Sequence, residues 1–412
     1  MARVVENPLA TKAVSVRLNP VRRLLLGPGP QNADPRVHAA MSLPQIGHMD
    51  GDFLRIVEDI KHLLRYVWQT GNEFTVPVSG TGSAAWEAGV ANLTEVGDVH
   101  LICVNGYFGE RALDLHGRYT EKVEKIEKPP GQPFTVAEVE NGLRKYKPNL
   151  LWLCHAETST GCLQGDMKAI GMVCKKYGCL LMLDTVTSIC GVEVKLDEWQ
   201  VDCCYAGGQK CMGCPPGMAP LTMSPLAVRK MEQRKSKVPN WYLDMTMLRK
   251  YMVAPEGAMR VYHHTAPISM AYAMREALTL VAEEGLDVCQ KRHRDTSSLF
   301  HRELSTKLNL ECFVSDPGNR LPPLTTVQVP EGVDAGQVVG RMRDVYGIEI
   351  GHALGTLKGK CWRIGLMGYN CRPDVVMTVC AALGESIETA RGGKNSGADR
   401  SVAGGGSIKS KL

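Results

Sequence analysis

The residues best equipped for chemistry meet in the stretch Val201-Asp-Cys-Cys-Tyr-Ala-Gly-Gly-Gln-Lys210-Cys-Met-Gly-Cys-Pro-Pro-Gly217. A single lysine, Lys210, sits in a small-residue loop, with Gly207 and Gly208 before it and Gly213 after it. Glycine lets a backbone approach a ligand closely. A lysine buried there loses its charge and becomes an amine nucleophile. Upstream, Cys179-Leu-Leu-Met-Leu-Asp184-Thr-Val-Thr-Ser188 reads as a buried parallel strand that ends in an acid. An aspartate at the C-terminal end of such a strand lies where open α/β sheets bind ligands. The interval between Asp184 and Lys210 leaves room for one further strand. An acid for a pyridinium nitrogen plus a lysine for an aldehyde is the protein's share of pyridoxal 5'-phosphate chemistry.

Two further features fit that chemistry. Phe74-Thr-Val-Pro-Val-Ser reads as a strand, Ser79-Gly-Thr-Gly82-Ser83 as a glycine turn, and the following Ala-Ala-Trp-Glu-Ala as the start of a helix. A turn that opens a helix makes an anion site, because free N–H groups and the helix dipole face the ligand together. Thr81, Gly82 and Ser83 are the expected phosphate donors. Arg363 stands in an otherwise apolar strand, Cys361-Trp-Arg-Ile-Gly-Leu366. A buried guanidinium needs an anion, and its fork suits an amino-acid carboxylate. A structural ion pair would satisfy it as well.

These residues need a frame. Apolar spacing predicts a helix from Asp52 to Gln69, strands at 99–105 and 150–155, and helices at 134–145 and 167–177. The alternation between about 70 and 220 predicts a parallel sheet with helices on both faces. A long amphipathic helix follows from Gly285 to Leu308. Short strands near 325–329, 348–350 and 361–366, around a helix at 335–345, form a second and smaller α/β unit. The expected division is an arm at 1–22, a large domain at 23–285, a small domain at 286–390 and a tail at 391–412.

Gly27-Pro-Gly-Pro30, Ser79-Gly-Thr-Gly82, Asn105-Gly-Tyr-Phe-Gly109, His155-Ala-Glu-Thr-Ser-Thr-Gly161, Asp184-Thr-Val186, Gln209-Lys210, Tyr262-His-His-Thr265 and Arg363-Ile-Gly-Leu366 occur in one order along the chain. Together they resemble the class V, fold-type I aminotransferases, and most closely the branch that moves the amino group of alanine or serine to glyoxylate or pyruvate. The resemblance implies an α/β fold whose large domain holds a mostly parallel seven-stranded sheet between helices. It implies that Lys210 holds pyridoxal 5'-phosphate, with Gln209 beside it. Phe108 would stack on the ring, where tryptophan is also used, and Val186 would pack under it. Thr158 would stand near the phenolic oxygen. Gly29 would lie at the substrate entrance and Arg363 would bind the substrate carboxylate. Tyr262 and Thr265 would reach the phosphate of the other subunit, which makes the enzyme a homodimer with shared sites. His48 would be a contact to the neighbour's site or a polar rim residue. Hydroxykynurenine transamination belongs to the same motifs. A cysteine desulfurase would need a mobile cysteine, and Gly351-His-Ala-Leu-Gly-Thr-Leu-Lys-Gly-Lys360 has none. A non-catalytic binding protein would be favoured by loss of the lysine, acid or arginine, and all three are present.

Composition narrows the classes further. A net charge of +5, without a basic stripe interleaved with aromatics, argues against nucleic acid as a partner. No stretch has the length and freedom from charge of a membrane span, and the N-terminus lacks a secretory apolar core. The fifteen cysteines are scattered, many in apolar runs, and are expected to be reduced and buried. Cys211 and Cys214 make half a zinc site with no second half, so no metal is expected. The basic run from Arg229 to Lys237 is expected to be a solvated helix face. The chain ends Ser410-Lys411-Leu412 after a Gly-, Ser- and Asn-rich segment, which predicts capture by a peroxisomal import receptor.

Overall fold

In a computed structural model the structure describes residues 18–253 and 259–392, together with the backbone of 4–7 and 10–14. The apolar runs become a seven-stranded sheet. From edge to edge its order is Phe74–Gly80, Gly217–Met223, Cys203–Tyr205, Leu180–Asp184, Leu150–Cys154, Val99–Val104 and Lys122–Glu127. The last five strands run parallel, and Gly217–Met223 runs antiparallel to both of its neighbours. The mostly parallel sheet expected from the alternation is therefore present. Leu150–Cys154 and Leu180–Asp184 are buried throughout, as strands covered on both faces must be. Register aligns Asp184 with Cys154 on one side and Tyr205 on the other. The reversal from Cys203–Tyr205 into Gly217–Met223 leaves the Lys210 loop at the same C-terminal edge.

Lys122–Glu127 is an edge strand that the sequence reading does not contain. Its Lys-Val-Glu-Lys-Ile-Glu pattern has too few apolar residues to announce a strand, but exposed charges suit an edge that must not pair with another chain. At the N-terminus, Val4–Asn7 pairs antiparallel with Ala10–Val14 where no periodic pattern is visible.

The predicted helices form where their apolar spacing places them. Gly51–Trp68 buries Phe53, Val57, Ile60, Leu64, Val67 and Trp68, and Asp50 caps its start by accepting the Asp52 N–H. Val136–Tyr146 begins with a reciprocal Thr135–Glu138 capping box. Leu286–Lys307 is the long helix expected after Gly285. Apolar side chains collect in two clusters, one around the large sheet and one that includes Leu26, Phe300, Val327, Trp362, Val379 and Leu383. A second sheet has the order Leu324–Gln328, Cys361–Gly365, Gly351–His352, all antiparallel. Leu24–Leu25 pairs with Ile348–Glu349, which ties the Gly27–Pro30 turn to this second layer.

The basic run at 229–237 is not a plain solvated face. The helix there, Pro225–Glu232, is short. Lys230 pairs with Asp98 at 2.8 Å, and the Arg234 guanidinium donates to the carbonyls of Asn92 and Thr94. Helix C-termini present unpaired carbonyls, and a cation satisfies them. Of the fifteen free cysteines only Cys312 is partly exposed. Among the described residues no cluster of His, Cys, Asp or Glu suits a metal ion, and no helix is long and apolar enough to cross a membrane. The Ser410-Lys411-Leu412 terminus lies outside the described residues.

Candidate active site

The strand ends surround a cavity of about 250 Å³. Asp184, Val186, Gln209 and Lys210 line it. Thr81, Gly82 and Ser83 close one end, and Phe108 and Thr158 complete it. The structure thus brings together nine of the residues expected from sequence.

Asp184 is only 5% exposed. Its Oδ1 accepts the Val186 N–H at 2.8 Å and its Oδ2 accepts the Tyr205 hydroxyl at 2.7 Å. Burial pushes its carboxyl up to about 6, against the pull of those donors and of Lys210. The group is therefore ionised at neutral pH, and among the described residues it has no ion-pair partner. Lys210 lies across the cavity. Burial, followed by the charge of Arg363, lowers its amine to about 8. Its Nζ donates to the Pro28 carbonyl. The loop backbone is pinned by Gln31 Nε2 donating to the Lys210 carbonyl at 2.6 Å and by Gly213 N–H donating to the same oxygen at 3.1 Å.

Gly29 shapes the space for that lysine. Its φ is +104°, and a Cβ there would stand 2.6 Å from Lys210 Cδ and 2.8 Å from Nζ. Gly29→Ala is expected to displace the lysine and lower kcat/KM by up to about a hundredfold, the cost of a misplacement of about 1 Å. Steady-state kinetics check it, and unchanged kinetics would remove Gly29 from the site.

The expected phosphate donors stand at the start of helix Gly82–Leu93. Thr81 is extended at its N-cap, and its hydroxyl makes no cap hydrogen bond, which leaves it available to a ligand. Phe108 belongs to the first turn of helix Tyr107–His116. Glu157, a residue the sequence reading passed over, fixes that turn. It is fully buried and accepts Phe108 N–H at 3.2 Å, Ser159 N–H at 3.0 Å and Ser159 Oγ–H at 2.7 Å. Burial raises its carboxyl above the usual range, although the Ser159 donors oppose this. The signal was a glutamate inside His155-Ala-Glu-Thr-Ser-Thr, where only the hydroxyls drew attention.

Arg363 is 7% exposed. Its Nε donates to His352 O at 2.8 Å and Nη1 to Thr158 O at 3.3 Å. Burial lowers it to about 10, so it stays charged at neutral pH. Among the described residues no carboxylate lies within ion-pair distance, so the structural ion pair left open by the sequence is not formed. Tyr262 and Thr265 are exposed and line no part of the cavity. The Tyr262 ring lies 5.3 Å from that of His48. Trp86 and Tyr205 are among the cavity residues missed from sequence. Both stand inside motifs already singled out, but nothing local says that they face a ligand.

A lysine, an aspartate and a glycine-led helix start, gathered at the C-terminal edge of a mostly parallel sheet, define a cofactor-dependent amino-group transferase of fold type I. The sequence matches the aminotransferase class-V family over residues 36–377, and the chain belongs to that family. It is 42% identical over 377 residues to the alanine--glyoxylate aminotransferase of Mus musculus, which covers 92% of this chain and 90% of the relative. The alanine--glyoxylate aminotransferase of Nostoc sp., a crystal structure, superposes with a TM-score of 0.87 at 48% identity, covering 90% of this chain and 97% of that one. The (S)-ureidoglycine--glyoxylate transaminase of Bacillus subtilis is 35% identical over 379 residues, 88% of this chain and 89% of the relative.

Proposed function

We propose that this chain uses pyridoxal 5'-phosphate to move the amino group of alanine, with serine as the alternative donor, to glyoxylate. The products are pyruvate (or hydroxypyruvate) and glycine. The observation that carries the reading is one cavity lined by the buried charges Asp184 and Lys210, with the buried Arg363 joined to its Thr158 wall, none of the three in an ion pair within the described residues. The donor set fits the cofactor in other respects. Trp86 Nε1 and Gln209 Oε1, both of residues lining the cavity, are buried without a partner. Glyoxylate is named in both relatives, whereas their donors differ, which supports it as the acceptor.

Bound there, the cofactor supplies an electron sink for the amino acid's Cα. The chain's own residues do the rest. Asp184 holds a proton on the ring nitrogen, and Thr81, Gly82 and Ser83 hold the phosphate. Phe108 and Val186 would pack against the ring, Thr158 would stand near its phenolic oxygen, and Gln209 lies beside Lys210. Arg363 orients the substrate carboxylate. Lys210 Nζ, with its basicity lowered by burial, moves the proton at Cα. Tyr262 and Thr265, exposed on one chain, would complete the site of a second copy in a homodimer. Gly29 belongs to the entrance. The division at Gly285 would separate a large cofactor-binding domain at 23–285 from a small domain at 286–390. The terminal Ser410-Lys411-Leu412 would direct the enzyme to peroxisomes.

The test is the visible spectrum of the purified protein before and after L-alanine and then glyoxylate. A cofactor band that alanine bleaches and glyoxylate restores supports the reading. A band that responds to serine alone moves the donor to serine, and no band after reconstitution overturns it.

Asp184 also gives a stability prediction. Its folded value of about 6 exceeds the ordinary 3.8. The protonated form is therefore the one favoured by folding, and stability is lost as pH rises from about 4 through 6. Asp184→Asn is expected to stabilise the cofactor-free protein at pH 7 by up to about 2–3 kcal/mol, with the gain vanishing towards pH 4. Denaturant melts at both pH values decide it, and a destabilised variant at pH 7 would contradict the burial argument.

A further inference from the structure

We propose that Tyr205, steadied by Trp152, is a positioning residue that keeps the Asp184 carboxylate ionised and aimed at the cofactor ring nitrogen. The inference rests on the function proposed above. Tyr205 and Trp152 are 1% and 0% exposed, and they come from the strands on either side of Asp184. Register sets Tyr205 directly opposite Asp184 and Trp152 opposite Met182. Trp152 Nε1–H donates to the Tyr205 oxygen at 3.1 Å, and Tyr205 donates to Asp184 Oδ2 at 2.7 Å. An indole nitrogen can only donate. The phenol oxygen is thus taken as acceptor, and its own proton is directed to the carboxylate. The Trp86 ring stacks on both partners, 5.4 Å from Trp152 at 19° and 5.7 Å from Tyr205 at 9°, which holds the phenol in plane.

The hydroxyl matters because little else favours charge on Asp184. Val186 N–H serves the other oxygen, and Lys210 faces the group from the loop. The remaining titratable neighbours are Cys154 and Cys204 on the flanking strands and Glu157 in the short strand Ala156–Glu157. Burial keeps the thiols neutral, and a charged Glu157 would only repel. A phenylalanine fills nearly the same space, so Tyr205→Phe removes the donor alone.

The probe is pyridoxamine 5'-phosphate, which needs no bond to Lys210, titrated into the cofactor-free full chain across pH. Wild type is expected to lose affinity as pH falls through about 6, the value to which Asp184 is raised. In Tyr205→Phe that acid limb should move up by about one to two pH units, as expected for a lost hydrogen bond to a buried charge. Binding at pH 7 should weaken several-fold, and Trp152→Phe should shift the limb the same way by less. Asp184→Asn should abolish the limb, and adding Tyr205→Phe to it should change nothing more. An unmoved limb in both Tyr205→Phe and Trp152→Phe overturns the proposal. So does an equal further loss in the Asp184→Asn background, which would mark a packing role. Should wild type bind no pyridoxamine phosphate at any pH, the proposed function itself fails, and the relay with it.

Discussion

Lys210→Ala is expected to lower kcat/KM for alanine with glyoxylate by at least about 10⁴-fold. Positioned proton transfer alone is worth about 10²–10⁴, and the variant also loses the covalent anchor for the cofactor. The amine is suited to both tasks because it is buried, has no ion-pair partner among the described residues and is lowered to about 8. The cofactor should still bind through the helix start at Gly82 and through Asp184, but borohydride should no longer fix it to the chain. Steady-state rates, with mass spectrometry after reduction, report the two losses separately. Near-normal turnover in this variant would sink the mechanism. Stability should rise slightly, since a buried amine that disfavours its charged form is removed.

The second large effect is at Arg363. Arg363→Met should lower kcat/KM for the amino acid by about 10²–10³-fold, the usual consequence of truncating one partner of a desolvated charge pair. Most of the loss should fall on KM, because the carboxylate is held equally before and during reaction. The expected effect on folding has the opposite sign. Among the described residues the buried guanidinium has only two carbonyls as partners, His352 O and Thr158 O. Replacing an uncompensated buried charge by an apolar chain should leave the cofactor-free protein at least as stable. A variant that is both inactive and strongly unfolded would show that Arg363 is structural. A variant with unchanged KM would show that the carboxylate is anchored elsewhere.

Much of this site is legible in the one-dimensional pattern. Buried parallel strands announce themselves as apolar runs, because both faces are covered. A glycine turn between strand and helix announces an anion site by its backbone alone. Lys210 and Asp184 stand out because each is a charge at the end of an apolar run. Position along the chain thus marked the residues proposed here as nucleophile, ring partner and phosphate cradle, and the family's motifs supplied the remaining candidates.

What the tertiary structure decided is which distant groups touch. The strand Lys122–Glu127 was hidden because only Val123 and Ile126 pack on the core, too few apolar residues among charges to mark a strand. The 229–237 run looked solvated because its acceptors, the carbonyls of Asn92 and Thr94, lie far away in sequence. Glu157 was missed because what it fixes, the Phe108 N–H, belongs to another segment. The Trp152–Tyr205–Asp184 relay exists only through strand register, which alternation of residue types does not specify for strands buried on both faces. Composition and spacing determined which chemical groups the protein brings to its site, and packing across strands decided how each is held, because hydrogen-bond geometry is a property of neighbours in space.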